Sequence, residues 1–192
     1  MEKMTKRKMQ AQQTKEKIYR TSVELMEKKG LSNITVEEIC KEAGVSVGSF
    51  YNYFESKSDI LNEIYDVADE YFMNVVEKEV KNDSINDRIV QFFCYYADYN
   101  VNRGLEFVMH LYHTRNTMFI KKGRYMQLVL QKIIEEGQEL GEIPKDMLPE
   151  EIVEYLFIAA RGIIYDWCLH KGQYDLVEFT RNYVRRLVKV LY

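Results

Sequence analysis

The chain has 192 residues, 46% of them hydrophobic and 30% charged, and carries a formal net charge of -3. That balance argues against disorder and allows one or two domains with a substantial buried core. With only 2 prolines and 9 glycines among abundant Glu, Lys, Leu, Ile and Tyr, an all-helical (all-α) fold is favoured over a sandwich or sheet. The sequence holds no secretory apolar region and no run of about 18 apolar residues, so a cytoplasmic protein without a membrane segment is expected. Cys40, Cys94 and Cys168 are widely spaced in apolar helical surroundings, which predicts buried thiols and neither a disulfide framework nor a zinc site.

The charge is unevenly distributed. Residues 1 to 57 contain 11 Lys and Arg against 8 Asp and Glu (+3), whereas residues 58 to 192 contain 16 against 22 (-6). Much of the basic excess sits at Lys3, Lys6, Arg7, Lys8, Lys15 and Lys17. These could follow a minor groove or phosphate backbone as a flexible arm, or form a merely solvated tail.

Thr35 and, three residues on, Glu38 form a capping-box pattern that starts a short helix with Val36, Ile39, Cys40 and Ala43 on its apolar face. Gly44 can end that helix with positive φ, Val45 supplies an anchor, and Ser46 caps the next helix. In this second helix Phe50 and Phe54 face the core, while Tyr51, Asn52 and Tyr53 are left on the surface with hydrogen-bonding groups. Ser56 is the expected cap of a third helix, which puts Lys57 at its first position, where an ammonium group is favourable only beside an anion such as a DNA phosphate. Helix, glycine turn and helix also occur as an ordinary helical corner.

The surrounding residues narrow that choice. Gly44-Val45-Ser46, Phe50-Tyr51-Asn52-Tyr53-Phe54, Ser56-Lys57 and Ile60-Leu61 together resemble the N-terminal signature of the tetracycline-repressor (TetR) family of transcriptional regulators. The resemblance extends upstream through Ile18, Val23, Leu25, Met26, Gly30 and Thr35, so that residues 14 to 61 carry it. It implies base-edge or near-base roles for Ser46, Val47, Gly48, Ser49 and Asn52, and phosphate roles for Thr35, Tyr51, Tyr53 and Lys57. Val47 departs from the family's usual long polar or basic side chain and leaves only apolar contact with a thymine methyl; Asn52 could contact adenine bidentately or face phosphate or solvent.

Beyond residue 57 the pattern is a succession of amphipathic helices. Ile60, Leu61, Ile64, Tyr65, Ala68 and Phe72 continue the helix from Ser56, so one long element is expected to join a head (residues 1 to 57) to a body (58 to 192). After a break at Lys81 to Ser84 a helix follows through Ile85, Ile89, Phe92, Phe93 and Tyr96, then a shorter one through Phe107 to Tyr112, then one from about Phe119 to Leu140, stopped by Gly141 and Pro144. Pro149 opens a long apolar stripe from Ile152 to Cys168, and a last stripe runs from Leu176 to Leu191. Two such helices can complete one core or pair with a second copy as a four-helix interface; the family resemblance and the need for symmetric half-sites imply a homodimer.

The body's rings and thioethers could equally be plain core or line a ligand cavity. The resemblance implies a small hydrophobic or aromatic effector, for which Phe92, Tyr96, Phe107, His110, Tyr125, Met126, Arg161 and Tyr165 are the candidate contacts, with His113 and Asp166 as further polar groups. His110 and His113 stand three apart, but no carboxylate or thiol at ligand spacing joins them, so no metal is expected. With no Gly-rich phosphate loop, nucleophile motif or paired-carboxylate pattern, neither a cofactor nor an enzyme is expected. The whole implies a ligand-responsive regulator, most simply a repressor that binds a palindromic operator as a dimer. The alternatives are a helical protein-interaction module without DNA binding or, last, a helical enzyme using the body cavity.

Overall fold

A computed structural model describes residues 6–30, 33–57, 59–82, 84–112 and 116–191, with side chains omitted at 6 and 191. The described residues form helices and turns that group into two compact units, Met1–Asp66 and Val67–Tyr192. The division falls inside a helix, whereas the sequence reading ends the head at residue 57.

In the first unit α1 (Lys6–Lys29) packs on α2 (Val36–Ala43), which turns into α3 (Val47–Tyr51). Ile18 and Met26 of α1, Ile39 and Ala43 of α2, and Phe50 of α3 are wholly shut from solvent, with Phe54 close behind. Burial of each large apolar side chain contributes roughly 1.5–3 kcal/mol, enough in sum to fix so short a helix as α3 that could not persist alone. Because α1 already begins at Lys6, Arg7, Lys8, Lys15 and Lys17 lie on a helix and do not form a flexible arm; Lys3 lies outside the described residues.

α4 (Asp59–Tyr71) follows, and the turn before it is held by one of its own side chains. The Asp59 carboxylate accepts the backbone N–H groups of Glu55 (2.8 Å) and Ser56 (3.0 Å), as a carboxylate three residues beyond a cap at Ser56 does. α4 then widens into a π-helical turn (Phe72–Val76) with Phe72 and Val76 buried, and continues as α5 (Glu77–Glu79).

The second unit continues with α6 (Ile85–Arg103), α7 (Leu105–Leu111), α8 (Tyr125–Glu139), α9 (Pro149–Leu169) and α10 (Leu176–Leu187). α6 is the central element: it packs along α10 and against α8 and α9. Rings of Phe72, Phe92, Phe93, Tyr96 and Phe157 meet at 5.1 to 6.3 Å between centroids and form its core. The single helix expected from Phe119 to Leu140 is in fact a 3-10 turn (Thr117–Ile120) followed by α8. Gly123, at φ 75°, breaks the run in a conformation that other residues adopt only with strain. At the start of α9, Pro149 occupies the first turn and the Glu151 carboxylate reaches back to the Leu148 N–H at 2.8 Å. No described helix is long and apolar enough to cross a membrane.

Candidate functional site

The turn between α2 and α3 is built by hydrogen bonds to short side chains. Thr35 Oγ1 accepts the Glu38 N–H at 3.1 Å, and Ser46 Oγ accepts the Ser49 N–H at 3.0 Å. Each hydroxyl spends an acceptor on its cap and keeps its proton for an outside acceptor. The Glu38 side chain does not close the capping box. It pairs with Lys29, whose hydrogen bond holds the Glu38 carboxyl below the usual carboxylate range. Gly44, at φ 61°, ends α2 in the left-handed region and donates its N–H back to Lys41.

This turn presents one side of α3 outward. Phe50 is fully buried, Tyr51 is 54% exposed and Val47 39% exposed; Ser46, Gly48 and Asn52 are exposed, and Ser49 and Tyr53 are half-buried. The Tyr51 ring is braced edge-on by Phe50, at 5.5 Å and 83° between planes, and Phe50 in turn meets Phe54 at 5.5 Å. Gly48 has a further property. A Cβ built there would meet nothing nearer than Ser46 Oγ at 3.9 Å, so internal packing does not require a glycine.

Lys57 is half-buried and its ammonium donates to the Ile34 carbonyl at 2.8 Å, tying the segment after α3 to the residue before the α2 cap. Two of its three donors remain. Lys15 is engaged by Glu63 at 2.6 Å and lies 5.9 Å from the Phe54 ring centroid, whereas the Lys17 ammonium lies 3.6 Å from where a Cβ on Gly44 would stand, beside the turn itself. The nine proposed DNA contacts thus fall on the α2 cap, α3 and the segment after it, all within one unit.

The body candidates are more scattered. Phe92, Tyr96, Phe107 and Met126 are buried in the packed core, with the Tyr96 and Tyr112 hydroxyls 3.2 Å apart. Tyr125 donates to Glu77 at 2.7 Å, which raises the phenol's pKa and, with the stronger hydrogen bond from Lys132, keeps the Glu77 carboxyl low. Arg161 donates to the Phe119 carbonyl at 3.2 Å and lines a cleft of about 100 Å³ with Phe119, Gln127, Val153 and Phe157. His110 is half-buried, and His113 lies outside the described residues. Among the described residues no group of three or more His, Cys, Asp or Glu could hold a metal.

Tyr165 instead belongs to an outward stripe on α9, with Tyr155, Ile158 and Leu169 exposed at helical spacing around an open Gly162. On α10, Phe179 and Tyr183 are similarly exposed and line a groove of about 700 Å³ with Tyr174, Asn182, Arg186 and Leu187. The sequence reading missed the pair of Arg124 and Asp69: the guanidinium donates through Nε and a terminal nitrogen to the two carboxylate oxygens, both at 3.2 Å, and Asp69 also accepts the Met126 N–H at 3.1 Å. Asp69 follows the inward Tyr65 and Ala68 on α4, and that register was the available signal.

Comparison with known proteins agrees with this geometry. Residues 18–64 match the family model described as bacterial regulatory proteins, tetR family. A Bacillus subtilis protein named as the uncharacterized HTH-type transcriptional regulator YerO is 40% identical over 68 residues, which is 35% of this chain and only 22% of that protein. The fatty acid metabolism regulator protein of Bacillus subtilis is 25% identical over 179 residues, covering 87% of this chain and 90% of that protein. The crystal structure of the transcriptional regulator FadR from Bacillus subtilis in complex with stearoyl-CoA superposes with a TM-score of 0.74 at 21% identity, over 89% of this chain and 95% of that one. That likeness shows a common fold.

Proposed function

We propose that the chain, whose residues 18–64 match the family model for bacterial regulatory proteins of the tetR family, is a transcriptional regulator of that family: a dimeric repressor released from a palindromic operator by a small hydrophobic effector. The observation that carries the DNA-binding part is the outward side of α3: a capped helix, rigidly seated on Phe50, with a glycine at its exposed first turn that the protein's own packing does not need. A glycine there, where alanine would be the better helix former, suits the close approach of a DNA backbone or base edge. Thr35, Tyr51, Tyr53 and Lys57 would hold phosphates; Ser46, Val47, Gly48, Ser49 and Asn52 would lie at the base edges. Val47 offers only a methyl contact, so discrimination among sequences would rest on Asn52 and on DNA shape.

The exposed apolar stripe of α9 and the aromatic groove of α10 support dimerisation, since clustered exposed apolar side chains are characteristic of interaction sites. The operator would then be read as two half-sites, by two heads of one dimer acting in the cytoplasm. In the body, the cleft beside Arg161 is far below the ~300 Å³ at which small-molecule pockets begin. An effector therefore has to part the helices around the aromatic cluster, and so selects a second packing of the body. Because α4 runs through both units, that second packing would alter the heads and lower operator affinity by the ligand's differential affinity for the two states. The stearoyl-CoA held by the Bacillus subtilis structure makes long-chain acyl compounds the first effectors to try.

The test is a gel-shift titration of the full chain against the DNA upstream of its own gene, with and without palmitoyl-CoA. Saturable, palindrome-dependent binding that the ligand weakens is expected, and Lys57→Ala should weaken binding to all sequences while reducing the salt slope by about one unit. Binding indifferent to the palindrome would contradict the proposal.

A further inference from the structure

The buried stripe of α6 passes through Ile89, Phe92, Phe93, Tyr96 and Asn100, and the next position in that register is Arg103. Its guanidinium stacks on the Phe107 ring, with Cζ 4.3 Å from the centroid. Nε and one terminal nitrogen of Arg103 are closed off from solvent and meet no hydrogen-bond acceptor. Charged donors left in that condition are among the more costly features a folded protein can carry, so their persistence calls for a partner that arrives from outside.

The neighbouring charged groups are directed elsewhere. Asp69 is occupied by Arg124 through both of its oxygens, and Asp98 accepts a hydrogen bond from Asn102 at 2.8 Å. Arg161 is directed to the Phe119 carbonyl. The Tyr99 phenol lies in the field of Arg103 and Arg124, and that of Tyr96 in the field of Arg124 and Arg161, although burial raises both phenols' pKa overall. The fields of three guanidinium groups, and that of Asp69, thus reach these two phenols in a body whose total charge is strongly negative.

We propose that Arg103 receives the anionic group of the effector, a carboxylate or a phosphate, while Arg124 and Arg161 reinforce the field and the aromatic cluster takes the apolar remainder. The inference rests on the effector-binding reading above and specifies its chemistry. A guanidinium already flattened on an aromatic ring loses little freedom on binding an anion and presents two parallel N–H donors to it. The neutral counterpart of such a ligand would leave those donors unmatched.

The experiment is calorimetric titration and thermal melting of the full chain with octanoate and palmitate, with their coenzyme A thioesters, and with their methyl esters. An acid or a thioester should bind about 10- to 100-fold more tightly than the ester, as expected for hydrogen bonds to a charged group. Preference for the free acid would identify the carboxylate as the recognised anion, and preference for the thioester the phosphates. Arg103→Met should bring the charged ligand down to the ester's affinity, leave the ester's affinity unchanged, and melt no lower than the wild type without ligand, because it removes unmatched donors. A purely structural Arg103 would instead lower that melting temperature. Should Arg103→Met fail to fold, Arg103→Lys decides: it keeps the charge, loses the fork, and should retain only part of the preference. Equal binding of ester and charged ligands, or a preference that survives both substitutions, would overturn the assignment and leave the effector reading standing. Failure of all three ligand classes to bind the wild type would overturn both.

Discussion

Replacing Gly48 by alanine should separate the stability of the head from its DNA affinity. The new methyl would stand 3.9 Å from Ser46 Oγ, an ordinary contact, so nothing in the protein has to move. Alanine is the better helix former by up to about 1 kcal/mol, and for a chain of this size each kcal/mol corresponds to roughly 2–4 °C in melting temperature. Gly48→Ala is therefore expected to melt at the same temperature or up to a few degrees higher. At the DNA surface the same methyl occupies the space of a close contact. Loss of one such contact costs about 1–3 kcal/mol, or roughly 5- to 150-fold in affinity. Thermal melting and fluorescence anisotropy with operator DNA would measure the two effects on the same preparation. Wild-type affinity in both Gly48→Ala and the bulkier Gly48→Leu would refute the claim that this surface meets DNA, and a marked loss of stability would refute the claim that packing does not need the glycine.

Three further outcomes follow from the same geometry. Thr35→Ala removes the acceptor of the Glu38 N–H and should destabilise the chain by about 1 kcal/mol in urea titration, with Thr35→Ser close to wild type; an unchanged midpoint for the alanine variant would be inconsistent with the cap. Asp69→Asn leaves the buried Arg124 guanidinium without its counter-charge and should cost about 3–5 kcal/mol by the same measurement, so that a loss of only a few tenths would count against the pair as a structural joint. Burial pushes the Cys168 thiol up to about 11 and raises those of Cys40 and Cys94 as well. Since only the thiolate reacts, native protein near pH 8 should label with a thiol reagent far more slowly than urea-unfolded protein, with rates that climb as pH approaches that value. Rapid native labelling of all three cysteines at pH 8 would contradict this.

The head was legible in the sequence because its determinants are local. Thr35, Gly44, Ser46, Phe50 and Phe54 sit at fixed offsets and each has one geometric role, so the spacing alone determines the turn. The errors arose where a side chain answers to a distant partner. Glu38 would have closed the capping box had Lys29 not claimed it. In the body, periodicity identified most of the helices but not the direction of each ring: Tyr165 and Phe157 lie on the same helix, one outward and the other against Phe92. Arg103 shows the complementary point, since its register on α6 marks it as inward from the sequence alone, and only the structure reveals that its donors lack acceptors.

The central claim, that two copies of α3 read a two-fold DNA site, is tested most directly by an equilibrium titration of a palindromic operator at several salt concentrations, with the stoichiometry determined at high protein and DNA concentration. The account predicts saturation at two chains per half-site pair and an affinity that falls linearly with salt on logarithmic axes. Saturation at one chain per palindrome, or no binding at any salt concentration tested, would contradict it.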